Sequence, residues 1–197
     1  TLLLVGLSHD INNKLAPLLL YLEILQTPGR VDSNEARTKI YPAMQRLVES
    51  MSGISKNFLE MSRLASGEFK LTPGKMDVGE LLREVVLYQE LEAQHRKIKV
   101  SIDLPQSSVL VKADEKAMKT VLMNLLGNAI KYTLKEGLIT LGATVDEAKG
   151  IVTIFVQDNG IGISAEDQKN IFKSFYRTEK GKITAEGFGV GLSLAKK

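Results

Sequence analysis

From its first residues the chain places apolar side chains in steps of three, four and seven. Leu4, Ile11, Leu15, Leu18, Leu22 and Leu25 form one stripe, and Ile40, Met44, Leu47, Met51, Ile54, Phe58 and Met61 form a second. This spacing is the seam of a coiled coil or a bundle helix. The first stripe predicts a helix over about Leu2 to Gln26, stopped by the turn Thr27-Pro28-Gly29. Pro17 lacks the N–H that would bond the carbonyl of Asn13 and predicts a kink there. The second stripe predicts a helix with Pro42 at its first position, ending near Ser66-Gly67. Two narrow seams cannot enclose a core between themselves. Burying their thirteen side chains, at roughly 1.5 to 3 kcal/mol each, needs a partner stripe. A symmetric four-helix bundle made by two chains is therefore expected.

After Gly67 the pattern becomes mixed. A short run Phe69-Lys70-Leu71 and a turn at Thr72-Pro73-Gly74 precede a helix capped by Asp77, which carries Leu81, Leu82, Val85, Val86 and Leu91 up to about His95. Strands are expected over Ile98 to Ile102 and Val109 to Val111, followed by a second long helix after Asp114 with Met118, Val121, Leu122, Leu125, Leu126, Ala129 and Ile130. Leu138 to Val145 and Ile151 to Val156 read as a strand pair. A glycine-bearing loop at Asp158 to Gly162, a short helix over Ala165 to Phe172, a polar stretch over Thr178 to Glu186 and a final helix opened by Gly187 to Leu192 complete the chain. The fold class is α+β: an antiparallel helical hairpin forming a dimeric bundle, then an α/β unit with a mixed sheet and helices on one face.

Length and composition add bounds. The 197 residues divide best into two domains, 1–67 and 68–197. With 25% charged and 44% hydrophobic residues the balance is that of a soluble globular protein. A net charge of +3, dispersed and without an aromatic ladder, gives no reason to expect nucleic acid as a partner. The absence of cysteine excludes a disulfide framework and thiolate metal sites, and suits a reducing compartment such as the cytoplasm. No apolar run approaches a membrane span, so no membrane contact is expected of this stretch. Because the sequence opens inside a helical pattern, it reads as a fragment of a longer parent, and this stretch leaves open whether that parent is membrane-anchored.

Candidate chemistry lies in four places. With Ile11 at heptad position d, His9, Asp10 and Asn13 point away from the seam, and His9 and Asn13 stand one above the other. A neutral imidazole nitrogen can attack a phosphoryl group while an adjacent carboxylate holds the proton on the other nitrogen; an ordinary solvated histidine is the alternative. On the second long helix Asn124, Asn128, Lys131 and Tyr132 recur at offsets of four, three and one. Amide oxygens suit a hard cation such as Mg²⁺ that keeps several waters, and the ammonium suits phosphate oxygens. In Asp158-Asn159-Gly160-Ile161-Gly162 the carboxylate could accept from the amino group of adenine, although a strand-ending turn explains the same residues. Gly187, Gly189 and Gly191 before a helix could cradle a phosphate, a weak signal when taken alone.

The order and spacing of these stretches resemble the catalytic core of a two-component sensor histidine kinase. Ser8-His9-Asp10-Ile11-Asn12-Asn13 resembles the family's H box, and Asn124-Leu125-Leu126-Gly127-Asn128-Ala129-Ile130-Lys131-Tyr132-Thr133 its N box. Asp158 to Ile163 is similar to the first glycine box, Ile171 to Arg177 to the F box, and Gly187 to Leu192 to the second glycine box. The resemblance implies a dimerisation and phosphoacceptor hairpin followed by a Bergerat ATP-binding sandwich. It implies His9 as phosphoacceptor, Asp10 as general base, and Asn13 as the position linked to phosphatase activity. It further implies Asn128 as the Mg²⁺ ligand with Asn124 close by, Lys131 on phosphate, Tyr132 lining the pocket and Asp158 on adenine. Gly160 and Gly162 would admit the nucleotide and Arg177 would reach toward the γ-phosphate. Residues 178–186 would form a mobile lid closed by Gly187, Gly189, Gly191 and Leu192. The implied partners are a second copy of the chain and an aspartate on a response-regulator receiver domain.

Two departures accompany the resemblance. Lys14 stands where many members have proline, with Pro17 three residues later, and the chain stops at Lys197 before the closing helix and strands usual in the family. Transfer between the two domains implies flexing at residues 66–74. A phosphatase-biased member, or a non-catalytic phosphotransfer dimer, is the competing reading; the full set of amides, Lys131, Asp158 and glycines speaks against the latter.

Overall fold

The structure, a computed structural model, describes residues 2–65, 70–174, 176–184 and 191–196; within these, the side chains of 2–10, 56–65, 182, 183 and 194 are outside the description. Two compact units are present, Thr1–Glu68 and Phe69–Lys197.

In the first unit, helix α1 (Leu2–Gln26) stays helical through Pro17. Thr27 closes it, donating both its N–H and its hydroxyl to the carbonyl of Glu23, and Gly29 turns the chain with φ +76°. The regular return helix begins within a residue of Pro42, as expected, but a helical lead-in precedes it. Asp32 caps a short turn α2 (Ser33–Glu35), its Oδ1 accepting the Glu35 N–H at 2.7 Å. A π-helical turn over Ala36–Ile40 then leads into α3 (Tyr41–Ala65). The wide turn reconciles proline with a continuous helix: the Tyr41 N–H reaches back to Ala36 O, shifting the hydrogen-bond pattern one residue just before the ring that has no N–H. The expected helix end at Ser66-Gly67 lies outside the described residues.

Alone, this hairpin leaves its seam wet. Among the described seam residues Ile40 and Ile54 are buried, whereas Ile11, Leu15, Leu18, Leu25, Met44, Leu47 and Met51 are half-buried and Leu22 is exposed. Leu19, Leu20, Tyr41 and Val48 are each more than half exposed as well.

The second unit begins with a strand that the sequence reading missed. β1 (Gly74–Asp77) pairs antiparallel with β3 (Leu110–Ala113), Met76 opposite Val111. Met76 is the only apolar side chain in β1, too little for an alternation to register. Helix α4 (Val78–His95) follows directly from β1. A three-stranded mixed sheet comes next in the order β2 (Lys99–Asp103), β4 (Leu138–Asp146), β5 (Ile151–Asp158), with β2 and β4 parallel and β4 and β5 antiparallel. Among the described residues the strands thus form two sheets rather than one, because there β1 and β3 pair only with each other. Helix α5 (Glu115–Tyr132) packs beside α4, and both contact the mixed sheet. The core between them is made by Leu82, Val85, Leu122, Leu126, Ile130, Ile139 and Leu141, all buried. Downstream come α6 (Ala165–Gln168), shorter than expected, α7 (Glu179–Thr184), in a stretch read as polar loop, and α8 (Gly191–Lys196).

Two aspartates start the long helices. Asp77 accepts from Glu80 N at 3.0 Å and from the Ser108 hydroxyl, and Asp114 accepts from Ala117 N at 3.0 Å and from Thr72 N at 2.7 Å. The Ser108 hydroxyl is the main cause that holds the Asp77 carboxyl below its ordinary value, and the Thr72 amide does the same for Asp114. A carboxyl depressed in the folded state stabilises fully above its unfolded value and loses that contribution as pH falls through the folded one. The urea midpoint should therefore hold from neutral pH down to about pH 4 and decline below it. Asp114→Asn keeps a cap oxygen that does not titrate and should flatten the acid decline. An unchanged acid profile in this variant would contradict the assignment.

Candidate nucleotide site

The two faces of helix α5 have different residues. Leu122, Leu126, Ala129 and Ile130 turn into the core, while Asn124 and Asn128 remain half-buried and Lys131 reaches solvent. Three separate segments converge on this outer face. The loop after β5 is tied to the helix end by Ile161 N–H donating to Tyr132 O at 3.1 Å. Helix α7 lies against the same tyrosine: a Cβ built on Gly181 would sit 3.6 Å from Tyr132 Cε1 and 3.7 Å from its hydroxyl. Helix α8 begins at the other end, where a Cβ on Gly191 would fall 3.1 Å from Asn124 Oδ1. Asn124, Tyr132, the Asp158 loop, Gly181 and Gly191, spread over 68 positions of sequence, thereby share one region of the fold.

The loop is built by close approach. A Cβ on Gly160 would collide with Tyr132 O and lie 2.8 Å from Asp158 Oδ1, so only glycine lets β5 run into α5 at this point. Gly162 differs: it has φ +67° with nothing near its missing Cβ, a backbone requirement rather than a packing one. Asp158 Oδ1 accepts the Gly160 N–H at 2.8 Å, which leaves its second oxygen for a ligand.

Cations gather at the C-terminal end of α5. Arg177, half-buried, donates Nη2 to Gly181 O at 2.9 Å. Arg96 donates Nη1 to Lys131 O at 3.2 Å and pairs with Glu92 at 2.9 Å. Although Lys131 meets solvent, partial desolvation and then the charges of Arg96 and Arg177 hold its ammonium below the ordinary lysine range, opposed by Glu92. Crowded like charges of this kind are relieved by an anion. Arg96 had no signal in the sequence: the carbonyl it caps is 35 residues away on another helix.

Behind the loop, Tyr176 donates to Asp167 Oδ1 at 2.6 Å and Ser164 to Asp167 Oδ2 at 2.6 Å, while Ser174 and Ser193 meet at 3.2 Å, so the segments flanking residues 178–190 are linked at their base. Gly187 and Gly189 lie outside the described residues, as does Phe175. Leu192 is half-buried in α8. In the hairpin unit His9 and Asp10 fall within α1, with their side chains outside the description, and Asn13 is exposed.

Among the described residues no cluster of three or more His, Cys, Asp or Glu could hold a metal. The donors beside the site are the amides of Asn124 and Asn128. Such a set fits an octahedral Mg²⁺ that takes most of its ligands from phosphate and water, and does not fit an all-protein carboxylate cage. No helix among the described residues is long and apolar enough to cross a membrane.

A sheet backed by two helices, with a candidate ligand face formed by one helix, a glycine loop and the start of another helix, is the arrangement expected of an ATPase-type nucleotide unit, here joined in sequence to a helical hairpin. Residues 113–197 match the model of the histidine kinase-, DNA gyrase B- and HSP90-like ATPases, and residues 1–67 match the His Kinase A (phospho-acceptor) domain. The chain belongs to the two-component sensor histidine kinases, of which it comprises a catalytic core. It is 28% identical over 196 residues to the sensor histidine kinase YcbM of Bacillus subtilis, covering 99% of this chain and 62% of that protein. It is 32% identical over 195 residues to the adaptive-response sensory kinase SasA of Parasynechococcus marenigrum, covering 99% and 49%. The chain therefore spans about half to three fifths of these relatives. In fold it is similar to the histidine kinase AdeS of Acinetobacter baumannii, with TM-score 0.72 at 21% identity over 95% of this chain and 83% of that one. It is also similar to the catalytic domain of histidine kinase ThkA, with TM-score 0.56 at 29% identity over 66% and 79%.

Proposed function

We propose that this core takes the γ-phosphoryl group of Mg-ATP onto His9 and passes it to an aspartate of a response-regulator receiver domain. The observation that carries the nucleotide half is the convergence of the Asp158 loop, α7 and α8 on the Asn124 to Tyr132 face of α5. The match of residues 1–67 to a phospho-acceptor domain supports the other half, with His9 on α1.

Phosphoryl transfer asks a protein for positioning and charge neutralisation more than for covalent help. Asp158 accepts from the adenine amino group, Gly160 and Gly162 let the base approach, and Tyr132 lines the pocket. Lys131 and Arg177 meet phosphate oxygens, and Gly187, Gly189, Gly191 and Leu192 close over them. Mg²⁺, when bound by Asn128 with Asn124 nearby, would neutralise phosphate charge. A neutral ring nitrogen of His9 attacks the γ-phosphorus as the bond to the β,γ-bridging oxygen breaks and ADP leaves with the electron pair. Asp10 accepts the proton from the other ring nitrogen. A receiver carboxylate oxygen then attacks phosphorus, and the P–N bond breaks back to imidazole. Asn13, four residues beyond His9, is suited to orient a water against a phosphorylated receiver.

The wet seam of the lone hairpin supports a homodimer, since a second copy supplies the matching stripe. A receiver as partner is supported by the solved complex of ThkA with response regulator protein TrrA, whose kinase shares the fold at TM-score 0.68. ATP as phosphoryl donor and the lack of cysteine suit a cytoplasmic site of action.

Incubation with γ-labelled Mg-ATP should give an acid-labile, base-stable label on the chain, and a panel of receiver domains should include one that removes it within seconds to minutes. Label that survives acid, or none, would sink the proposal.

A further inference from the structure

Strand β5 ends at Asp158, which pairs with Ile139 across the ladder. One more connection follows, made by Asn159 with both of its ends. Its backbone N–H donates to Leu138 O at 3.3 Å, and its side-chain Oδ1 accepts the Leu138 N–H at 2.8 Å. The side-chain amide thus takes the acceptor place that a backbone carbonyl holds in a longer strand, and the main chain can turn while the pairing persists. The next two residues use that turn: Gly160 N–H caps Asp158 Oδ1 and Ile161 N–H caps Tyr132 O. The seat for the amide oxygen exists because residue 137 has no side chain. A Cβ on Gly137 would lie 2.8 Å from Asn159 Oδ1 and would collide with the Thr133 methyl group.

We infer that Asn159 is a positioning residue for nucleotide selection, fixing the direction in which Asp158 presents its second carboxylate oxygen. The inference rests on the reading of Asp158 as the adenine-binding group. Strand ends fray when their last pair is lost, and an exposed carboxylate on a frayed end points several ways. A fixed acceptor favours a base with an amino donor at that position and meets acceptor against acceptor in guanine, so the preference for ATP over GTP reports its direction.

The test measures dissociation constants for Mg-ATP and Mg-GTP by calorimetry on the whole chain carrying Asn159→Ala, Asn159→Asp, Asp158→Asn or Asp158→Asn with Asn159→Ala. Loss of one hydrogen bond in Asn159→Ala should weaken ATP by about fivefold and GTP by less, narrowing the preference. Asn159→Asp retains an oxygen for Leu138 N–H and should return ATP affinity to within about twofold of the parent. In the Asp158→Asn background Asn159→Ala should add nothing, since the group it directs is already altered. Equal weakening of both nucleotides, failure of the Asp rescue, or full additivity in the double variant would each overturn the inference and leave only general loosening of the loop. If Asp158→Asn alone leaves ATP binding and preference intact, the adenine reading of Asp158 falls and takes the inference with it. If Asp158→Asn weakens ATP while Asn159→Ala does not, the inference alone falls.

Discussion

A chain carrying His9→Gln should accept no acid-labile phosphoryl group from ATP, a drop of at least about a thousandfold in labelling rate. Glutamine keeps the bulk and polarity of the side chain but has no nitrogen lone pair able to attack phosphorus. Nucleotide affinity should stay within about twofold, because no group proposed to hold ATP lies in the hairpin unit. The chain has two histidines, so the control is unusually clean. His95 is exposed in the last turn of α4, and His95→Gln should label like the parent. Label retained in His9→Gln and lost in His95→Gln would move the acceptor to the other domain and undo the proposed transfer.

The second large effect is expected at Gly160. An alanine methyl there meets the backbone carbonyl of Tyr132 as well as the Asp158 carboxylate at 2.8 Å, and the backbone carbonyl cannot swing aside as a side chain can. The Ile161 to Tyr132 hydrogen bond fixes the same two segments from the other side, so relief requires β5 and α5 to part. Overpacking of this kind costs about 1 to 3 kcal/mol. If about 2 kcal/mol of it is expressed as displacement of the loop carrying Asp158, Mg-ATP binding weakens about thirtyfold. Gly162→Ala, with a positive φ and open space, adds backbone strain of only about 1 kcal/mol. The urea midpoint should fall further for Gly160→Ala than for Gly162→Ala. The reverse order would mean that the loop does not approach α5 as described.

The elements that were legible from residues alone are those whose information is local. Asp77 and Asp114 announce α4 and α5, and the threes and fours of Leu81 to Val85 and Leu122 to Ile130 carry them, so both helices begin where expected and α4 also ends there. The amides and lysine of α5 could be assigned to one face for the same reason. β1 could not be read, because a strand with one apolar residue exists only through its partner β3. Pro42 marked the start of the regular return helix to within a residue, but the helical lead-in over Ser33–Ile40 was not legible, because its π-helical turn depends on a hydrogen bond from Tyr41 N–H to Ala36 O rather than on residue type. Helix α7 lay hidden in a polar stretch without an apolar stripe.

Periodicity, caps and ordered boxes were enough to determine the class of fold and the family, and to nominate candidate residues for the chemistry, since each depends on neighbours within a turn or a strand. What the tertiary structure decided was which of those residues meet. Arg96 on Lys131 O, Ile161 on Tyr132 O, Asn159 on Leu138 and Gly191 on Asn124 join positions between 21 and 67 residues apart. Contacts at such separations arise from strand register and helix packing, and a one-dimensional pattern does not carry them.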